Sequence, residues 1–200
     1  MFYVIMRNIL YPFIRLFLRV KVSGKENIPK RGGYIICANH TSIADMFALA
    51  VPFKCQIRYM AKEELFKTAF TRWLFGALGT FAVQRGKGDL DAIKKACDIL
   101  NGGGIFGIFP EGTRTKAEDG TPGKAKTGAA LITMKTKASV LPVSIRYSTG
   151  QAKLFCRVQI NIGELIEYEA PKEEQTMRSE LRIVTEKIMG KVLNLWEMKD

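Results

Sequence analysis

Short apolar runs alternate with stretches of helical periodicity along most of this chain, a pattern that restricts it to helices packed on a largely parallel sheet. Strands are expected over 34–38, 57–61, 79–85, 105–109, 140–147 and 154–162, and helices over 42–51, 63–78 and 128–136. A further helix, with Asp89 as its N-cap, runs to Leu100 and is ended by Gly102-Gly103-Gly104. The tail over 173–196 places Met177, Leu181, Val184, Ile188, Val192 and Leu195 three or four residues apart, so it is an amphipathic helix. Residues 116–126, rich in charge, Gly and Pro, read as a surface loop. With 200 residues and 47% hydrophobic composition the chain builds one core, which gives an α/β fold: a mostly parallel mixed sheet flanked by helices.

Residues 1–20 stand apart from the domain expected over 21–200. They are strongly apolar but are interrupted by Arg7, Pro12, Arg15 and Arg19, which makes a poor spanning helix. At about 100° per residue, Arg7, Asn8, Arg15 and Arg19 gather within roughly 120°, and Phe2, Ile5, Ile9, Phe13 and Phe17 cover the rest. Such a segment lies in a membrane interface with its arginines at anionic headgroups, or packs on the protein's own core. Nothing before the basic 21–25 stretch resembles the small-residue cleavage site of a signal peptide.

Lys and Arg number 31 against 19 Asp and Glu, a net charge of +12, so an anionic partner is expected. Neither zinc-finger spacing nor a ribonucleoprotein aromatic motif points to nucleic acid. Cys37, Cys55, Cys97 and Cys156 are far apart and read as buried thiols in a reducing compartment, with neither a disulfide framework nor a metal-ligand set.

Chemistry concentrates in two short blocks. The only histidine, His40, follows the apolar run over 34–38 and lies at the strand's carboxyl end, where open α/β sheets place their ligand crevices. A neutral imidazole accepts a proton near neutral pH, and a carboxylate orients it and stabilises its charged form. Asp45 is the nearby candidate. Five residues on, it lies about 140° round an ideal helix from His40, so a pair requires His40 in the turn before the helix. Asp45 also suits a capping box begun by Ser42, and both readings stand at this point. Asn39 either fixes the turn carrying His40 or is purely structural. The second block, Phe109-Pro110-Glu111-Gly112-Thr113-Arg114, ends a buried strand with a carboxylate, a glycine, a hydroxyl and a guanidinium. Such a turn binds phosphate through Arg114, Thr113 and backbone N–H groups, with Glu111 orienting the arginine or a substrate hydroxyl; the plain alternative is an exposed turn.

Together the blocks Asn39-His40-x-x-x-x-Asp45 and Phe109 to Arg114 resemble the glycerolphosphate acyltransferase family, above all its 1-acylglycerol-3-phosphate acyltransferases. Gly79-Thr80-Phe81-Ala82-Val83-Gln84-Arg85 and Val140-Leu141-Pro142-Val143-Ser144 are similar to two weaker family blocks, in the expected order. The resemblance spans roughly 20–162. It implies transfer of a fatty acyl group from acyl-CoA or acyl-carrier protein to the 2-hydroxyl of a lysophosphatidic acid, with His40 as general base, Asp45 as its partner and no acyl-enzyme. Arg85, Gly112, Thr113 and Arg114 are implied to hold the acceptor phosphate, Glu111 to orient it, and Pro142 to shape the acyl or acceptor pocket. Lys126 stands alone where the family carries a basic pair, and is either a phosphate contact or a solvated loop lysine. Neither a bound cofactor nor a metal is implied, and the expected place is the cytoplasmic face of the cell membrane, held peripherally on its anionic surface. A different lysolipid or glycerol phosphate as acceptor is the nearest alternative, and a non-enzymatic membrane-binding protein a more distant one. A serine hydrolase using Ser42 lacks the Gly-x-Ser-x-Gly elbow.

Overall fold

A computed structural model describes residues 2–83, 90–170 and 176–198. Its centre is a seven-stranded sheet of β1 (Arg19–Ser23), β2 (Ile35–Ala38), β3 (Ile57–Lys62), β4 (Thr80–Val83), β5 (Ile105–Ile108), β6 (Val140–Tyr147) and β7 (Arg157–Ile162). The spatial order is β1-β7-β6-β2-β5-β3-β4. Only β6 and β7 pair antiparallel, so β1 and β7 run against the other five strands.

Six helices accompany the sheet among the described residues: α1 (Phe2–Phe17), α2 (Ala44–Leu49), α3 (Ala69–Ala77), α4 (Leu90–Asn101), α5 (Gly128–Thr136) and α6 (Met177–Glu197). The two central strands β2 and β5 are apolar at every position because both faces of the sheet are covered there. Along β2 the side chains alternate between two cores. Ile36 and Ala38 pack with Ala48 and Leu49 of α2, and with Val143 and Ile145 of β6. Ile35 and Cys37 pack with Ala96 of α4, Ala129 and Ile132 of α5, and Ile188 of α6.

This division positions the site. After β2 the chain turns into α2 on one face, and after β5 it leads to α5 on the other. Adjacent parallel strands whose connections depart to opposite faces leave a crevice at their carboxyl ends, and β2 and β5 are such a pair.

Several expected boundaries move for identifiable reasons. The helix-to-strand change comes at Leu18–Arg19, inside the segment read as 1–20, because Val20 and Val22 alternate with Arg19, Lys21 and Ser23 in a short strand beside β7. β7 starts at Arg157 instead of 154, since Phe155 takes a left-handed φ of 62° that interrupts extended chain. The helix expected over 63–78 is a 3-10 turn at Glu63–Phe66 followed by α3, which Thr68 starts through a reciprocal capping box with Thr71. Helix α2 is shorter than 42–51, and Asp89 lies outside the described residues. Cys37 and Cys156 are buried, as read, but Cys97 is half-buried and Cys55 is exposed. Its position in the loop before β3, beside charged Lys54, leaves Cys55 outside both cores. Among the described residues no helix is long and apolar enough to cross a membrane.

Candidate active site

His40 lies two residues past the end of β2, in the turn before α2. Its Nδ1 is 2.8 Å from Asp45 Oδ2, with Asp45 fully buried and the imidazole 18% exposed. The same Oδ2 accepts from the backbone N–H groups of Thr41 at 2.7 Å and Ser42 at 2.9 Å. Oδ1 accepts from the Thr41 hydroxyl at 3.2 Å and from the Tyr147 hydroxyl at 2.7 Å. The structure selects the pairing with His40 over the capping box: the Ser42 N–H does donate to Asp45, but the Ser42 hydroxyl accepts from the Ala44 N–H, the Asp45 N–H goes to the Ser42 carbonyl, and α2 starts from Ile43 without a side-chain cap. A buried carboxylate needs such a ring of donors, since leaving it unpaired costs several kcal/mol, on the order of 3–5. With Nδ1 donating to the carboxylate, Nε2 of the neutral ring carries the lone pair.

Tyr147 gave no signal in the sequence. It sits at the end of β6, 102 residues from Asp45, and only the β2–β6 pairing brings the two together. Burial above all, and then the charge and hydrogen bond of Asp45, push its phenol far above the ordinary range, so it stays a donor. Asn39 acts structurally: its amide donates to the Ile145 carbonyl at 2.8 Å and accepts from the Ile145 N–H at 2.7 Å, extending the β2–β6 seam by one residue.

The second block grips the first through the backbone. Glu111 Oε1 accepts from the His40 N–H at 2.9 Å, and the Thr115 N–H donates to the His40 carbonyl at 2.7 Å, so residues 111–115 hold both sides of that residue. Glu111 Oε2 accepts from the Gly123 N–H at 2.9 Å. Burial pushes the Glu111 carboxyl above the usual range, against the pull of its two backbone donors. This corrects the reading of Glu111 as the group that orients an arginine or an acceptor: it is buried and both oxygens serve backbone donors, so it fixes loop geometry. The Phe109 ring stacks on His40 at 4.1 Å between centroids, and Tyr59 stacks on Phe109 at 6.0 Å.

Thr113 and Arg114 are exposed at the corner between the two bonds that hold His40. Gly112 has φ 69°, a left-handed turn that favours glycine, and a Cβ there would meet the Lys126 side chain at 3.2 Å. Lys126 thus lies over Gly112, and its N–H donates to the Pro110 carbonyl at 2.8 Å, which joins it to the same corner. Arg85 lies outside the described residues. Pro142, read as shaping a pocket, is buried inside β6 opposite Cys37, its carbonyl accepts from Gly163, and its side of the sheet faces α6. On the other side, an apolar slot is lined by Tyr11 and Ile14 of α1, Met46 and Phe47 of α2, Tyr59 of β3, and Phe75 of α3. Its wall residue Tyr59 stacks on Phe109, which in turn stacks on the His40 ring.

A proton acceptor beside a cationic corner, with an apolar slot one stacked ring away from it, suits transfer of an apolar group to an anionic acceptor. Comparison with known proteins points the same way. Residues 19–146 match the family model described as Acyltransferase. A 1-acyl-sn-glycerol-3-phosphate acyltransferase of Bacillus subtilis (strain 168) is 33% identical over 181 residues, covering 88% of this chain and 87% of that protein. Another, from Borreliella burgdorferi, is 33% identical over 135 residues, and there the match covers 66% of this chain and about half, 53%, of the relative. The crystal structure of the 1-acyl-sn-glycerophosphate (LPA) acyltransferase PlsC from Thermotoga maritima superposes with a TM-score of 0.70 at 28% identity, over 99% of this chain and 80% of that one. With the family model matching well over half of its residues, and a relative one-third identical along most of its length, this chain belongs to the acyltransferase family.

Proposed function

We propose that the protein transfers a fatty acyl group from a thioester donor, acyl-CoA or acyl-carrier protein, to the 2-hydroxyl of 1-acyl-sn-glycerol-3-phosphate, forming phosphatidic acid. The observation that carries the reading is the buried Asp45–His40 bond at the crevice, which leaves Nε2 as the proton acceptor. The names of the similar proteins support the acceptor. As the 2-hydroxyl oxygen attacks the thioester carbonyl, its proton passes to His40 Nε2 and Asp45 stabilises the imidazolium. The tetrahedral oxyanion then collapses, the C–S bond breaks, and the proton on His40 goes to the departing thiolate. No acyl-enzyme forms. Arg114, Thr113 and Lys126, with Arg85, hold the acceptor phosphate, and the apolar slot takes an acyl chain. The protein works on the cytoplasmic face of the membrane, with α1 lying in the anionic interface.

The test is transfer of a labelled acyl group from each donor to lysophosphatidic acid, to other lysolipids and to glycerol phosphate. Product from lysophosphatidic acid that falls by about 10²–10⁴ in His40→Ala supports the reading. Equal turnover in His40→Ala, in a folded protein, removes His40 as the base. Product only with another acceptor removes lysophosphatidic acid.

A further inference from the structure

A helix on the surface of a water-soluble domain keeps its outer face polar, and α3 does not. Phe75 of its inner side and Leu78 just past its end line the apolar slot, yet Phe70 and Trp73 on its outer side are 66% and 54% exposed. None of its residues is buried. Helix α1 has the same two-sided character. Tyr11 and Ile14 line the slot, whereas Ile5, Ile9, Pro12 and Leu16 are exposed and, at about 100° per residue, fall within roughly 60° of one another. A third apolar pair, Leu154 and Phe155, is 68% and 53% exposed in the turn before β7.

These three segments adjoin. Ile14 and Phe47 are walls of both the slot beside α3 and a second, shallow groove closed by Leu154. Helix α1 therefore lies between α3 on one side and the 152–155 turn on the other. The turn is also pinned to α1, with the Phe155 N–H donating to the Phe17 carbonyl at 2.8 Å and the two rings 5.6 Å apart. Phe155 keeps a left-handed φ that a bulky residue rarely adopts, and the result is an aromatic ring on the surface instead of in the core.

We propose that α3 and the 152–155 turn are bilayer-inserting elements that, with α1 between them, form one membrane-binding face around the mouth of the apolar slot. The occupant is an anionic lipid bilayer. Exposed cations accompany each apolar pair, Lys67 and Arg72 at α3 and Lys153 in the turn, while Glu63 and Glu64 stand in the 3-10 turn before α3. An indole beside cations suits the boundary between headgroups and acyl chains. Binding by this face would open the slot directly toward the lipid layer, so an acyl chain enters without crossing water. The inference rests on the reading of the acceptor as a membrane lipid, but it is tested without substrate.

The chain has two tryptophans, so Trp196→Phe leaves Trp73 as the sole reporter. On phosphatidylglycerol-containing vesicles its emission is expected to move to shorter wavelength and to be quenched by lipids brominated along the acyl chains. In sedimentation, Phe70→Ser/Trp73→Ser and Leu154→Ser/Phe155→Ser are each expected to weaken partitioning about tenfold or more at an unchanged thermal midpoint. Trp73 emission that stays unshifted and unquenched on vesicles that pellet the protein overturns the proposal, and so does a protein that does not pellet. Vesicle binding with no acyl transfer to lysophosphatidic acid sinks the assigned reaction alone.

Discussion

The turn between β2 and α2 and the corner after β5 adjoin, yet they are held in opposite ways. In the turn, Asp45 is fully buried and takes hydrogen bonds from Thr41, Ser42 and Tyr147 in addition to His40. At the corner, Thr113 and Arg114 are exposed, and their place is fixed by bonds of the neighbouring residues, through Glu111, Thr115 and the Lys126 N–H to Pro110. The difference follows from desolvation. A carboxylate out of water must find its donors in the fold, whereas a guanidinium at the surface stays hydrated until an anion replaces that water. The His40–Asp45 half, proposed to handle the proton, is therefore fixed in advance by the fold, whereas the Thr113–Arg114 half, proposed to hold the anion, stays exposed to water.

The comparison breaks most sharply at Asp45. Asn can turn its amide oxygen to the N–H groups and its N–H₂ to the Thr41 and Tyr147 hydroxyls, but it brings no charge to stabilise a protonated His40 and reverses both hydroxyl bonds. Asp45→Asn is expected to lower kcat by about 10²–10⁴ and to lower Tm. Steady-state kinetics beside a thermal melt checks both, and near-normal turnover would mean the carboxylate only holds the turn before α2. At the exposed corner, Arg114→Ala is expected to act on the acceptor's KM, lowering kcat/KM by about 10- to 100-fold, with a smaller change in kcat and little in Tm. Loss confined to kcat would place Arg114 with the proton-handling half.

Glu111 joins the two halves and sharpens the contrast through pH. Its carboxyl titrates above the usual range in the folded protein, so its contribution to stability is fully present below the ordinary carboxylate value and is lost as pH rises through the raised one. Glu111→Gln keeps the shape but turns an amide N–H₂ against one backbone donor. It is expected to cost about 1–2 kcal/mol, with a larger gap to the unmodified protein at acid pH than at neutral pH. Denaturant unfolding at the two pH values tests this; a gap that widens toward neutral pH contradicts the desolvation account.

Much of this was legible along the chain. The 34–38 run followed by His40 places the candidate base at a strand's carboxyl end, and a pairing with Asp45 five residues on already demands a turn between them. The Phe109 to Arg114 block is likewise recognisable as a strand that ends in a polar corner. Other readings failed where a side chain's job depended on distant partners. Glu111 resembles a substrate-orienting acid until its two backbone partners, His40 and Gly123, are in place. Pro142 resembles a pocket residue until the register puts it opposite Cys37, on the side of the sheet facing α6. Strand β1 was hidden because five residues with three polar ones pass for a basic tail, and it becomes a strand by pairing with β7 across the chain.

By itself the sequence determined the α/β alternation, the turn that carries His40, and the two blocks that hold the chemistry. Each of these is set by geometry over a few consecutive residues: the helix period, the strand period, and the reach of a side chain to its own turn. Only the tertiary structure decided that Tyr147 completes the donors of Asp45, that Glu111 serves the backbone, and that α1 lies between α3 and the 152–155 turn. Those outcomes depend on a few ångströms between segments tens of residues apart, and chain-local patterns carry no record of that distance.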